Sequence, residues 1–235
     1  MRTTRTTRDG HSGTGPGAIT PDGCAVELYE RLLVGDEPDV IASRTPEGGS
    51  ILELGCGVGR VTHPLVARGF AVTAVDESAE MLERVRGART VHASIEHLEL
   101  DERFDLVLLS SFLVNTGDEE VRAGLLATCG RHVADGGVIL IQREAEGFYD
   151  DLPRESPMRG TGTIRIASEE IAPGLRANQV DYIFDDAQWT QFFRTRHLPD
   201  AAFEQVLAEA GLALVGYLTP NHAWAEAAAL VPAED

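Results

Sequence analysis

The stretch that decides the fold is Ile51-Leu52-Glu53-Leu54-Gly55-Cys56-Gly57-Val58-Gly59-Arg60. An apolar run suited to a buried strand leads into glycines spaced G-x-G-x-G, and a helical pattern follows. Glycine permits a tight turn and lets a ligand approach the backbone, because a side chain there would be in the way. The start of the following helix offers unpaired backbone N–H groups. The stretch therefore predicts a ligand site at the end of a strand.

Two acidic residues near this loop narrow the ligand class. A dinucleotide site has the spacing G-x-G-x-x-G and holds a pyrophosphate at the helix end, whereas here the third glycine comes one residue earlier. Glu53, two residues before Gly55, would repel a pyrophosphate and suits a cation. Asp76 ends the next predicted strand, where a carboxylate can accept ribose hydroxyls. The sequence thus predicts an adenosine-containing ligand with a cationic end.

Around the loop, apolar runs of strand length alternate with segments of helical period, which is typical of a parallel sheet covered on both faces. The predicted strands are residues 50–54, 71–75, 90–93, 104–109 and 138–142. The predicted helices are residues 21–34, 36–44, 60–68 and 119–132, with another capped by Ser78.

The regular alternation stops after the fifth strand. Residues 163–167, 179–184 and 189–194 read as short antiparallel strands, followed by a helix at 200–210 and strands at 212–218 and 227–231. We therefore expect a disordered tail at 1–18, a core at 19–144, an antiparallel insertion at 145–198, and the end of the core at 199–235.

Four segments in this order resemble the motifs of the class I S-adenosylmethionine (SAM)-dependent methyltransferase superfamily. They are ILELGCGVGR at 51–60, AVDESAEML at 74–82, FDLVLLSSFLVN at 104–115 and GGVILIQRE at 136–144. The resemblance implies a Rossmann-like α/β fold with a seven-stranded, mostly parallel sheet, and SAM as the methyl donor. The position of the insertion is similar to the acceptor cap of small-molecule methyltransferases, including those of natural-product pathways.

Carried over position by position, the resemblance implies a set of cofactor-binding residues. The glycine loop would line the methionyl part of SAM, Asp76 would hold the ribose, and Ser94 with Ile95 would meet the adenine. Many relatives have aspartate where this chain has Ser94, which puts that adenine contact in question. The full set is Glu53, Gly55, Cys56, Gly57, Gly59, Asp76, Glu77, Met81, Ser94, Ile95, Ser110 and Ser111.

Candidates for the acceptor site follow from the rule that ligands bind beyond the carboxyl ends of strands. These candidates are Asn115, Gln142, Arg143, Glu144, Tyr149 and Trp189. A hydroxyl acceptor usually needs a base, with histidine the common choice, and the weak candidates are His97, His197 and His222. No histidine or cysteine spacing indicates a metal site.

Composition limits the partners. The formal net charge is −18, so a nucleic-acid backbone would be repelled. No apolar run approaches the ~20 residues of a membrane span, and no secretory signal is recognised. Three widely spaced cysteines favour a reduced, cytoplasmic protein. Antiparallel strand edges invite pairing, which makes a homodimer plausible.

The sequence therefore predicts transfer of a methyl group from SAM to an N or O atom of a small metabolite, such as a natural product. One alternative is an α-N-methyltransferase of a ribosomally made peptide, because an amine acceptor fits the lack of an obvious base. Another is a non-enzymatic protein that binds SAM.

Overall fold

The computed structural model describes residues 8–158 and 162–230. Its strands are β1 (Ser12–Thr14), β2 (Ser50–Leu54), β3 (Ala71–Asp76), β4 (Arg89–His92), β5 (Phe104–Leu109), β6 (Val133–Gln142), β7 (Arg154–Pro157), β8 (Thr163–Ala172), β9 (Leu175–Ile183), β10 (Gln188–Arg196), β11 (Leu212–Tyr217) and β12 (Trp224–Ala229). Its α-helices are α1 (Val26–Arg31), α2 (Glu37–Ala42), α3 (Thr62–Ala67), α4 (Ala79–Leu82), α5 (Glu119–His132) and α6 (Asp200–Glu209).

Seven strands form the main sheet in the order β11-β12-β6-β5-β2-β3-β4. The pairs from β6 to β4 are parallel, and β12 runs antiparallel to both β6 and β11. The carboxyl ends of β2, β5 and β6 therefore meet at one edge of the sheet. This confirms the predicted Rossmann-like α/β fold with a mostly parallel sheet.

Helices cover both faces of this sheet, which explains the uninterrupted apolar runs in its central strands. On one face, Leu52 and Leu54 join a core that includes Leu125 from α5 and Phe203 from α6. On the other face, Ile51 packs in a second core with residues of α2 and α3. The alternation of residues 51, 52 and 54 between two cores follows from the two-residue period of a strand.

The remaining strands form a five-stranded antiparallel sheet in the order β1-β10-β9-β8-β7. Strands β7 to β10 all lie within the predicted insertion, which confirms its antiparallel character. They are longer than expected, and β7 was not predicted. We call this sheet the cap.

The N-terminal tail is the clearest correction. Disorder was expected through residue 18, but Ser12–Thr14 pairs with β10 of the cap. A strand of three residues carries almost no periodic signal, and it is defined only by a partner about 180 residues away. Residues 1–7 lie outside the described part of the chain.

Two further boundaries differ from prediction. The first helix begins at Val26 because Gly23, at φ +84°, completes a turn in which the amide of Thr20 donates to the carbonyl of Cys24. Strand β6 begins at Val133, so the two glycines at 136–137 lie inside it. Among the described residues, no helix is long and apolar enough to cross a membrane.

Candidate active site

The loop after β2 is held open by its own backbone. Gly55, Gly57 and Gly59 have φ angles of +78°, +54° and +85°, which L side chains rarely adopt. The amides of Gly55 and Cys56 both donate to the carbonyl of Val75 at 2.9 Å. These bonds tie the loop to the end of β3.

The space in front of the loop differs between its glycines. A Cβ on Gly55 would lie 2.8 Å from Leu113 Cδ1, so the end of that leucine side chain would have to move. A Cβ on Gly57 would meet only Met81 Sδ, at 4.0 Å. Gly57 therefore faces open space, as a loop that receives a ligand must.

Asp76 links the loop to the next helix. Its Oδ2 accepts from the amide of Gly57 at 2.8 Å, and its Oδ1 accepts from the amide of Ser78 at 2.9 Å. Burial raises the pKa of Asp76 to about 6, although these two amides oppose the rise. Each oxygen keeps a lone pair that can accept a ligand hydroxyl.

Glu53 lies beneath the loop with 1% of its surface exposed. Its Oε2 accepts a hydrogen bond from Thr62 Oγ1 at 2.6 Å. Burial raises the pKa of Glu53 to about 7, while Thr62 and Arg60 oppose the rise. Glu53 is thus a second carboxyl with a raised pKa close to Asp76. The two carboxyls make this end of the sheet suited to a cationic ligand.

The outer rim of the site contains an unexpected ion-pair cluster. Arg8 donates from Nε to Glu77 Oε1 at 3.0 Å and pairs with Glu96 at 3.1 Å. Met81 is buried against Val26 of α1 and Val58. The N-terminal segment therefore covers the loop, and its role was missed because it lacks a periodic pattern.

Ser94 and Ile95 lie where the adenine contact is predicted. Ser94 caps the 3-10 turn at residues 95–97, and the Ile95 side chain is 3.5 Å from the Cβ position of Gly55. They are thus beside the loop, and their contact with adenine stays a prediction.

The end of β5 carries a strained turn. Ser111 and Phe112 both have left-handed φ angles, +57° and +59°, which cost energy in residues other than glycine. The amide of Ser111 donates to Gln142 Oε1 at 2.8 Å, which fixes the turn to the end of β6. Ser110 is buried just before this turn.

Two predicted acceptor residues make buried contacts between the cap and the rest of the chain. Asn115 is 1% exposed, its amide nitrogen donates to the Arg196 carbonyl, and its oxygen accepts from the Glu144 amide. Trp189 is buried against α1 and donates its indole N–H to the Pro16 carbonyl at 2.9 Å. Both join the cap to the rest of the chain, and their contact with an acceptor stays a prediction.

The guanidinium of Arg143 likewise makes its contacts within the protein. Its guanidinium pairs with Asp200 at 2.6 Å, donates to the Leu198 carbonyl, and lies 4.6 Å from the Phe203 ring centroid. His222 also bonds Asp200, at 2.8 Å, and stacks on Tyr217. This network anchors α6 and uses the polar groups of Arg143 and His222, so their predicted roles in acceptor binding and as a base stay predictions.

Glu144 behaves differently from its neighbours. It is 6% exposed, and its Oε2 has no hydrogen-bond partner within residues 8–158 and 162–230. Burial raises its pKa to about 7, and the nearby hydroxyls of Tyr149 and Thr195 oppose the rise. Those two hydroxyls bond each other at 2.9 Å. Glu144 is therefore a buried carboxyl with one oxygen, Oε2, that no group in the described part of the chain satisfies.

The other predicted bases are less well placed. His97 is exposed on its 3-10 turn. His197 is also exposed, and its ring centroid lies 5.3 Å from that of Tyr149 in an edge-to-face arrangement. No group of three side chains suited to a metal ion occurs in the described part of the chain.

The residues fit a SAM-like ligand. The open face at Gly57 admits a ligand, Asp76 retains acceptor capacity for a ribose, and the buried Glu53 favours positive charge. When bound, such a ligand would supply an activated methyl group. The protein would supply position and charge.

Comparison with known proteins gives the class. Residues 51–137 match the family described as Methyltransferase domain. The fold resembles the solved structure of the CcbJ methyltransferase from Streptomyces caelestis, with a TM-score of 0.70 at 17% identity. The match covers 88% of this chain and 96% of that one. Residues 51–137 thus match a methyltransferase domain, and the chain shares its fold with solved SAM-dependent methyltransferases.

Two curated relatives are similar in sequence. A cypemycin N-terminal methyltransferase from Streptomyces sp. is 32% identical over 51% of this chain and 54% of its own length. A ubiquinone biosynthesis O-methyltransferase from Caulobacter sp. (strain K31) is 33% identical over 42% of each chain. The chain thus spans about half the length of the relatives it matches.

Proposed function

We propose that this protein transfers a methyl group from SAM to an N or O atom of a small metabolite or short peptide, releasing S-adenosylhomocysteine. The observation that carries the proposal is the loop at Gly55–Gly59, held open by backbone bonds and linked to Asp76 at the carboxyl edge of the sheet. In this proposal Asp76 binds the ribose and the loop binds the methionyl part. Ser110 and Ser111 border the sulfonium.

Alignment is the main contribution expected from the protein. SAM is already activated, so holding donor and acceptor at attack distance supplies much of the rate enhancement. The cap lies over the carboxyl ends of β5 and β6 through contacts such as that of Asn115 with Arg196. We assign the acceptor to the space between this edge and the cap.

Calorimetric titration of SAM, S-adenosylhomocysteine and NAD tests the cofactor. Both sulfur nucleosides should bind with micromolar affinity, and NAD should not bind. Asp76→Asn should weaken binding by about 1–3 kcal/mol, because a charged acceptor is lost. Asp181→Asn is the matched control, since Asp181 accepts its hydrogen bonds from Thr190 and Gln179 within the cap. If neither nucleoside binds, the proposal fails.

A peptide α-N-methyltransferase is the second candidate, and the similarity to the cypemycin N-terminal methyltransferase favours it. Labelled SAM offered with short peptides and with small amines separates the two: transfer only to free peptide N-termini would select this candidate. Tight nucleoside binding with no transfer to any acceptor would instead favour a non-enzymatic SAM-binding protein.

The cellular location and the oligomeric state of the protein remain predictions. A cytoplasmic location agrees with the unpaired state of Cys24, Cys56 and Cys129. A homodimer is the oligomer we would look for, using light scattering.

A further inference from the structure

Glu144 stands at the level where an acceptor must approach the methyl donor. Parallel pairing sets Leu109 of β5 opposite Ile141 of β6, so Ser110 and Gln142 end neighbouring strands. Glu144 follows two residues later, and its amide is fixed by Asn115 at 2.9 Å. Its side chain therefore belongs to the same edge as the proposed cofactor loop.

The surroundings of Glu144 compensate its carboxyl only in part, because Oε2 has no hydrogen-bond partner in the described part of the chain. The charged and titratable groups facing it are Tyr149 from the following loop, Arg176 of β9 and the adjacent Arg143. Arg143 is paired with Asp200 at 2.6 Å, and Arg176 lies 4.2 Å from the Tyr149 ring centroid. Neither guanidinium makes a hydrogen bond to Glu144 within residues 8–158 and 162–230.

A short chain of polar groups continues from this carboxyl into the cap. Tyr149 Oη and Thr195 Oγ1 are 2.9 Å apart, and Asn178 Nδ2 donates to Thr195 Oγ1 at 2.9 Å. Asn178 and Phe193 also border an open cleft of about 420 Å³ between the cap and the N-terminal segment. The chain thus joins the buried carboxyl to a cleft that solvent reaches.

A buried carboxyl that lacks a partner is costly unless a ligand supplies the opposite charge. We propose that the carboxylate of Glu144 binds the ammonium group of an amine acceptor and takes up the proton that its nitrogen must lose before methylation. This inference rests on the function proposed above and narrows the acceptor from N or O to an amine.

The step balances in atoms and electrons. The ammonium nitrogen gives one proton to Glu144, and its freed lone pair forms the N–C bond to the methyl group. The C–S bond of SAM breaks with its electron pair remaining on sulfur, which leaves the neutral thioether. Glu144 then returns its proton to solvent, so one proton is released per turnover. A pKa near 7 suits this exchange at neutral pH.

Glu144→Gln tests the assignment, with Glu146→Gln as the matched control, because Glu146 is exposed and two residues away. Each protein is first titrated with S-adenosylhomocysteine, whose affinity should stay within twofold of wild type. Labelled SAM is then offered with three matched pairs: benzylamine and benzyl alcohol, cyclohexylamine and cyclohexanol, and an alanyl-phenylalanine dipeptide with free or acetylated N-terminus.

We expect transfer to the amine member of a pair, reduced about 100-fold or more in Glu144→Gln and unchanged in Glu146→Gln. In wild type the rate should rise with pH around 7, and this limb should vanish in Glu144→Gln. Any part of the pH–rate profile that is set by ionisation of the amine itself should remain.

Transfer to an alcohol, transfer to no amine, or an unchanged Glu144→Gln rate would overturn the inference while leaving the cofactor site intact. Absence of S-adenosylhomocysteine binding to wild type would overturn the proposed function itself. If Glu144→Gln fails to fold, carbon-13 NMR of glutamate carboxyls in the wild-type protein decides. Because Glu53 also has a pKa of about 7, its resonance is first identified by its loss in Glu53→Gln. A second glutamate carboxyl that titrates near pH 7 and moves lower with benzylamine supports the assignment, and no such movement refutes it.

Discussion

The buried carboxyl of Glu53 makes a quantitative prediction about stability and pH. Its pKa is raised from the ordinary value of 4.5 to about 7 by burial, whereas in the unfolded chain it would return to that ordinary value. Protonated Glu53 therefore favours the folded state fully below pH 4.5, and this contribution is lost as the pH rises through 7. Replacing Glu53 with Gln removes the titration.

The size of the effect follows from the two pKa values. Their difference of about 2.5 corresponds to about 3 kcal/mol, at ~1.4 kcal/mol per pKa unit. Between about pH 5.5 and 8 the accessible part is about 2 kcal/mol, since about 1 kcal/mol is already lost below pH 5.5 and titration is nearly complete at pH 8. Glu53→Gln should therefore gain about 2 kcal/mol relative to wild type across this range, whatever its constant offset from new hydrogen bonds.

Urea denaturation at several pH values measures this difference. Glu37→Gln is the control. Burial alone would raise the pKa of Glu37, but its own amide, Arg60 and the Gly35 amide bring it below 4.5, so its difference from wild type should stay constant above pH 5.5. If the Glu53→Gln difference also stays constant within about 0.5 kcal/mol, Glu53 is not a buried neutral acid and the reasoning fails.

Three other predictions concern the site and its support. SAM binding near pH 6.5 should release protons, because a cation favours ionised Glu53 and Asp76; calorimetric heats independent of the buffer would contradict this. Gly57→Ala should weaken S-adenosylhomocysteine binding at least tenfold, while Gly48→Ala, also at positive φ but outside the glycine loop, should not; each should cost about 1 kcal/mol of stability by denaturation. Arg143→Met should lower stability by about 2 kcal/mol, discounted for the partly exposed Asp200, yet leave nucleoside affinity within twofold; a large loss of affinity at unchanged stability would return Arg143 to the site.

Much of the cofactor side was predictable because its signals are local. The strand at residues 50–54 has the predicted bounds, and the loop glycines take the positive φ angles that their spacing suggested. Ser78 caps its helix by accepting from the Met81 amide. Each of these features depends on neighbours within a few residues.

The acceptor side was less predictable because its residues are assigned by distant partners. Asn115 and Arg143 follow strands at the expected edge, but their polar atoms are used by residues 81 and 57 positions away. From its position in the sequence, Trp189 could equally have lined an acceptor pocket. Only the structure shows that it is buried against α1. A pattern among neighbouring residues does not indicate such long-range pairings.

By itself, the sequence determined the sheet, the glycine loop and the acids beside it, since strand period, glycine conformation and helix capping are written within single segments. Only the tertiary structure decided that residues 12–14 complete the cap, that Arg143 anchors α6, and that one carboxylate oxygen of Glu144 is buried without a hydrogen bond. The physical reason is that burial and charge compensation are set by chain segments far apart in sequence, whose approach depends on the whole fold.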